Sequence, residues 1–259
     1  MSGPRRAVHA CASASPRPGT AVLACASAAL FTALAVLIAV RHGTPLPGDR
    51  ATHAWSVRHR PHLVVSLARG ITATGTGPWP YLLAVAAGLL AGRTGPERLR
   101  AGALALAVLV LGQALRYGVL ALIARPRPAL ADWATHASGH SFPSGHTTTS
   151  ALAGGLLYWG ITRHTARAAA DRGAASPAGG PARRGLHGLL TRTVRILPLV
   201  WAAVVALTRI YLGVHWASDV IGGWLYATAC LAGAALVVRA LCGGRRTGLQ
   251  SPARISPLS

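Results

Sequence analysis

Three short polar clusters in the chain have residue types and spacing that could do chemistry. The first is Arg125-Pro126-Arg127-Pro128, and the second is Pro143-Ser144-Gly145-His146. The third is Thr208-Arg209, then five residues, His215, three residues, and Asp219. His215 and Asp219 are spaced i, i+4, so on a helix they share a face. A carboxylate beside an imidazole accepts one ring N–H and fixes the tautomer. The other ring nitrogen is then free as a nucleophile. His146 can supply the general acid. Ser144 and Gly145 stand where a helix would begin. Amides at a helix start bind anions, and glycine lets the backbone come close. Arg127 and Arg209 are planar donors suited to phosphate oxygens. Two His, one Asp, two Arg and an amide-rich helix start make a phosphoryl-transfer site that needs no metal and no cofactor. The chain has only five acidic residues, and Asp219 alone sits in such company. A two-metal site would need more ligands.

The elements that must carry these clusters are apolar. The chain has 259 residues, of which 52% are hydrophobic and 12% charged. Its mean hydropathy is +0.42. Soluble domains carry about 25% charged residues. The sequence predicts an all-α integral membrane protein, a bundle of six spans. The spans are expected at about 21–40, 79–90, 101–123, 146–161, 194–212 and 218–241. Residues 52–72 read as one amphipathic helix lying at the interface between spans one and two. Residues 20–242 form the membrane domain. Residues 1–19 and 243–259 read as disordered basic tails, and 163–192 as a flexible basic loop.

Net charge is +21, from 26 basic and five acidic residues, and every basic residue is Arg. The arginines lie between apolar blocks and aromatic content is only 5%, which argues against nucleic-acid binding. The positive-inside rule places both tails, 93–100 and 163–195 in the cytoplasm. Residues 41–76, 124–145 and 213–217 then face outward, so all three clusters share the outer face. The first outer segment carries five arginines, Arg41, Arg50, Arg58, Arg60 and Arg69. The basic 163–195 stretch is also expected to attract anionic membrane lipid.

Other residues read more plainly. Cys11, Cys25, Cys230 and Cys242 form no CxxC pair and imply neither a disulfide framework nor a metal site. His42, His53, His59 and His62 have no metal-ligand spacing and read as solvated or facing headgroups. His136 and His140 are loop residues near the second cluster. Trp133, Tyr211 and Trp216 read as interface anchors. Gln113 reads as an interhelical hydrogen-bond partner.

The clusters give the chain a resemblance to the type 2 phosphatidic acid phosphatase superfamily of integral membrane phosphatases. That family's signature is K-x6-RP, PSGH and SR-x5-H-x3-D. The second part is complete at Pro143 to His146, and the third has Thr208 in place of Ser. The first part matches at Arg127-Pro128, but Leu120 occupies the Lys position. Arg116, one turn earlier, is the candidate substitute. The resemblance covers about residues 20–242. It implies a phosphohistidine on His215, with His146 protonating the leaving oxygen and Asp219 orienting His215. Arg127, Arg209, Ser144, Gly145 and Arg116 would hold phosphate. The implied activity is hydrolysis of a lipid phosphate or pyrophosphate: phosphatidic acid, phosphatidylglycerol phosphate or undecaprenyl pyrophosphate. A phosphotransferase using the same residues is one alternative. A catalytically silent lipid-binding membrane protein is another, favoured only by the missing Lys.

Overall fold

The computed structural model describes residues 18–175 and 181–247. Among the described residues the regular structure is helical: α1 Pro18–Val40, α2 Pro47–Arg58, α3 His62–Ala73 and α4 Trp79–Ala91 come first. They are followed by α5 Gly95–Ile123, α6 Gly145–Ala175, α7 Pro181–Tyr211 and α8 Ala217–Thr247. A short 3₁₀ turn lies at Leu130–Asp132.

Helix α6 is the centre of the bundle. Helices α4, α5, α7 and α8 pack on it, and α1 packs on α8. The core joins Ala87, Leu109, Leu152 and Ala227 from four of these helices. Small residues set the spacing. At Gly160 a Cβ would run into the backbone of Ala87, so only glycine lets α6 and α4 come this close.

Among the described residues four helices are long and apolar enough to cross a membrane: α1, α5, the Gly188–Tyr211 part of α7 and the Ala217–Leu241 part of α8. The other two expected spans fall short of that description. Helix α4 has 13 residues, about 20 Å of rise against a hydrocarbon layer of about 30 Å. Helix α6 has 31 residues but opens with Thr147, Thr148, Thr149 and Ser150, all buried. Those hydroxyls face protein rather than lipid, which is where a membrane-embedded chain tolerates them.

Two expectations are corrected. The single amphipathic helix over 52–72 is instead two helices, α2 and α3, broken at Pro61. Proline lacks the N–H that would continue the ladder and pushes its predecessor out of helical geometry. The loop expected over 163–192 is helical up to Ala175 and again from Pro181. Alanine and arginine give that stretch its biased composition, and both are strong helix formers. Arg195 of α7 donates from Nε and Nη2 to the Thr165 hydroxyl of α6, at 2.9 and 2.7 Å, and ties the two helices together. Helix α8 runs to Thr247, past the expected end at 242. Residues 1–17 and 248–259, where most of both expected tails falls, lie outside the described residues.

Candidate active site

The three clusters meet at one end of the bundle, where α5 ends, α6 begins and α7 turns into α8. Their meeting point is Asp219, which accepts from Arg125 of the first cluster and from the Ser144 amide of the second and faces His215 of the third. Helix α5 stops at Ala124, whose backbone is left-handed with φ 47°. The chain then turns inward and Arg125 is completely buried. Its Nη1 donates to Asp219 Oδ1 at 2.6 Å and to Ser218 Oγ at 2.7 Å. Its Nη2 donates to Asp49 Oδ2 at 2.8 Å, and its Nε to the Gly43 carbonyl at 3.2 Å. Gly43 has φ +73°, and a Cβ there would lie 2.7 Å from Pro126 Cδ, so the close approach requires glycine.

Asp49 comes from α2. It also accepts from the Ser218 amide at 2.8 Å, the Ser218 hydroxyl at 2.7 Å and the Leu46 amide at 2.9 Å. Burial alone would raise its pKa. The hydrogen bonds from Ser218, Leu46 and Arg125 outweigh burial and hold the carboxyl below its usual range. The expectation that Asp219 is the one acid in this company is therefore corrected, because Asp49 belongs to it too. The available signal was scarcity. With five acids against 26 bases, each carboxylate has to be accounted for.

His215 lies in the turn before α8, not on the helix itself, yet the i, i+4 contact forms. Its Nδ1 lies 3.3 Å from Asp219 Oδ2, and Arg127 Nη1 donates to its Nε2 at 2.9 Å. This pairing assigns the ring proton to Nδ1 and the lone pair to Nε2. Asp219 stands in the first turn of α8 and accepts from the Trp216 amide at 2.9 Å, which caps the helix. Burial pushes the His215 pKa down to about 4, against the opposing pull of Asp219, so the ring is neutral at pH 7.

Arg127 is held by backbone. It donates to the carbonyls of Val214, Gly139 and Ser138 at 2.8, 2.9 and 2.8 Å. Burial lowers its pKa, and Asp219 partly opposes that. Two tryptophans fix the Arg-Pro-Arg-Pro segment. Trp216 Nε1 donates to the Pro126 carbonyl at 3.0 Å and Trp133 Nε1 to that of Pro128 at 2.9 Å. Tyr211 donates its hydroxyl to the His59 carbonyl at 2.8 Å.

Ser144 is buried, and its amide donates to the Asp219 carbonyl at 3.1 Å. Its hydroxyl accepts from Thr147 at 3.0 Å. The amides of Gly145 and His146, at the start of α6, have no partner among the described residues. The His146 ring, at the start of α6, lies within electrostatic reach of Arg209, His215, Arg127 and Arg116.

Arg116 is buried on α5. It donates to the Pro143 carbonyl at 3.2 Å, and its Cζ would lie 3.4 Å from a Cβ built on Gly145. Its guanidinium thus rests over the Pro143–His146 turn. Arg209, on α7, is also buried and donates to the Thr72 hydroxyl of α3 at 3.0 Å. The Nε atoms of both arginines are buried without a partner. Among the described residues Arg116, Arg127 and Arg209 have no carboxylate in ion-pair reach, whereas Arg125 has two. Every site residue expected from the sequence is thus gathered here, with Leu120 half-buried a turn beyond Arg116. The sequence did not point to Asp49, Ser218 or Thr72.

The expected outer segments also gain internal partners. Arg60 donates to the carbonyls of Asp132 and Tyr211, at 2.6 and 3.1 Å, and Arg69 to that of Ala134 at 2.6 Å. His53, expected to be solvated or headgroup-facing, instead meets Asp132 Oδ2 at 2.9 Å and packs beside Trp216. Gln113 donates to the Tyr81 hydroxyl of α4 at 3.2 Å, an interhelical bond as expected.

Comparison with known proteins agrees with this arrangement. Residues 98–241 match the PAP2 superfamily. Phosphatidylglycerophosphatase B of Bacillus subtilis (strain 168) is 26% identical over 198 residues, which is 75% of this chain and 86% of that protein. A crystal structure of a transmembrane PAP2 type phosphatidylglycerolphosphate phosphatase from Bacillus subtilis superposes with a TM-score of 0.60 at 23% identity. That match covers 91% of this chain and all of that one, 100%. The family match spans more than half of the chain and includes all three clusters, and the chain belongs to the PAP2 superfamily.

Proposed function

We propose that this protein is a multi-pass membrane phosphatase that hydrolyses a lipid phosphate or lipid pyrophosphate through a phosphohistidine on His215. One observation carries the reading. Arg116, Arg127 and Arg209 have no carboxylate in ion-pair reach among the described residues, and one of them, Arg127, donates to Nε2 of a neutral imidazole that Asp219 holds from the other side. Buried uncompensated cations are costly, and a phosphate dianion is the ligand that would compensate them.

In this mechanism Arg127, Arg209 and Arg116, with the Gly145 and His146 amides and the Ser144 hydroxyl, bind the phosphate oxygens. Arg127 Nη1 now donates to His215 Nε2, and it would turn that N–H to a phosphate oxygen when substrate arrives. His215 Nε2 attacks phosphorus. The N–P bond forms as the P–O bond to the lipid breaks, and His146, protonated in the substrate complex where the phosphate offsets the arginines around it, gives that proton to the leaving oxygen. The Nδ1–H stays on Asp219, which offsets the positive charge that develops on the ring. Water, deprotonated by His146, then attacks phosphorus and restores His215. The machinery calls on no metal or cofactor. Arg116 takes the place of the signature lysine missing at Leu120.

The substrate is read as a lipid because the site lies at the end of an apolar bundle. Leu122 and Leu130, on either side of the Arg125–Pro128 segment, are 85% and 74% exposed. They offer an apolar flank to a lipid tail whose head sits at His215. The reading includes six spans, cytoplasmic termini and a site on the outer face. The candidate lipids are phosphatidic acid, phosphatidylglycerol phosphate and undecaprenyl pyrophosphate. The test is phosphate release from each by detergent-purified protein, with chelator present and His215→Ala alongside. Chelator-resistant release that vanishes in the variant supports the reading and ranks the lipids. Folded protein that releases nothing from any of them favours the silent lipid-binding alternative.

A further inference from the structure

Asp49 is far from the signature clusters in sequence but joins them through one side chain. Asp49 and Asp219 divide Arg125 between them, at 2.8 and 2.6 Å. Two carboxylates and one guanidinium leave one net negative charge in a pocket where all three groups are essentially unexposed. Without Asp49, Arg125 would neutralise Asp219 by itself, and His215 would face a pair with no net charge. The charged and titratable groups facing His215 are Asp219 from α8, Arg127 from the α5–α6 connection, Arg209 from α7 and His146 from α6. Only Asp219 is acidic. Asp49 is joined to that carboxylate through Arg125, which both acids share.

We propose that Asp49 is a positioning residue for the His215 nucleophile, occupying Arg125 so that Asp219 keeps the charge that orients the ring and supports it when phosphorylated. This rests on reading His215 as the nucleophile. Asp49 also ties α2 to the first turn of α8, because Ser218, next to Asp219, donates to it twice. Orientation and charge therefore come from the same carboxylate.

The test uses full-length protein in detergent and the variants Asp49→Asn, Asp49→Ser and Asp49→Glu. Two quantities are read. One is the pH profile of kcat and KM on whichever lipid the unaltered protein hydrolyses. The other is the titration midpoint of His215 by histidine NMR, assigned by the resonance lost in His215→Ala. Loss of the Asp49 charge should lower the His215 midpoint by about one unit, tenfold in proton affinity. It should lower kcat about as much, leave KM within about twofold, and be reversed by Asp49→Glu. An unmoved midpoint, or a change confined to KM, overturns the proposal. Asparagine sets an amide against the donors of Leu46, Arg125 and Ser218, so Asp49→Ser, which is smaller and can accept from Arg125, decides if Asp49→Asn does not fold. Failure of both to fold assigns Asp49 to the architecture alone and also overturns the proposal. If the unaltered protein hydrolyses no lipid, the phosphatase reading fails while the NMR midpoint still decides the role of Asp49.

Discussion

Arg125 and Arg127 are two residues apart in the sequence, yet they belong to regions with opposite electrostatics. Around Arg125 the charge is balanced to excess: two carboxylates share one guanidinium and nothing is exposed. Around Arg127 it is not balanced at all. Arg127 donates to His215, and Arg116, Arg127 and Arg209 lie within electrostatic reach of His146, yet among the described residues none of the three has an acid in ion-pair reach. A paired buried charge holds parts together, and breaking the pair leaves its partner stranded. An unpaired one stores an unmet demand, which an anion can answer. The difference teaches that a buried arginine with its counter-charges reads as architecture, whereas arginines without one are the places to look for an anion.

The sharpest break of the comparison is at His215. His215→Ala should lower kcat by at least about 10³-fold while the protein stays folded, as measured by phosphate release and thermal unfolding. The next two variants should separate the regions. Arg125→Met should cost about 3–5 kcal/mol of stability, because it strands Asp49 and Asp219 without their cation. Arg209→Gln should lower kcat/KM by about 10²–10³-fold. It should leave the unfolding temperature unchanged or higher, since it removes an uncompensated charge. A large loss of stability in Arg209→Gln, or none in Arg125→Met, would dissolve the distinction. A smaller effect belongs to Arg116→Ala, expected to weaken activity about tenfold, with Leu120→Lys introduced alongside restoring part of it. Full activity in Arg116→Ala would remove that residue from the phosphate site.

The pH response sharpens the comparison further. The His215 pKa falls from its ordinary value of 6.5 to about 4. The unfolded chain therefore binds more protons than the folded one between those values. The stability tied to His215 is complete above about 6.5 and is lost as pH falls toward about 4. Activity in folded protein should persist through mild acid and decline as His215 protonates near pH 4, because a protonated Nε2 has no lone pair for phosphorus. An acid limb near the ordinary histidine value would show that burial does not govern the nucleophile.

Much of the site was legible because its chemistry is local. His215 and Asp219 are four residues apart, and Pro143 to His146 is one continuous turn, so spacing alone brought the groups together. The place of Arg116 beside the Pro143–His146 turn was legible because helical geometry puts it one turn from Leu120. Asp49 was not legible. Its partners are Arg125 and Ser218, and nothing local in Pro47–Arg58 shows that its carboxylate faces inward. The helical stretch over 163–175 was hidden for another reason. Alanine and arginine there look like low complexity, and their helix propensity was outweighed by the neighbouring Gly and Pro. The five arginines of 41–76 look alike as a charge count. Arg60 and Arg69 are distinguished only by the carbonyls of Asp132, Tyr211 and Ala134, which lie far along the chain.

The shared guanidinium also sets a schedule for assembly. Synthesis runs from the N-terminus, so Asp49 and Arg125 exist well before Asp219, which arrives with the last helix. Until α8 is in place, Arg125 has one carboxylate instead of two, and His215 does not yet exist beside Arg127. A chain interrupted before His215 therefore carries an open anchor and lacks the proposed nucleophile. On the proposed mechanism the protein gains its nucleophile just as the last helix closes the bundle, so an incomplete copy in the membrane would be inert toward the lipids around it.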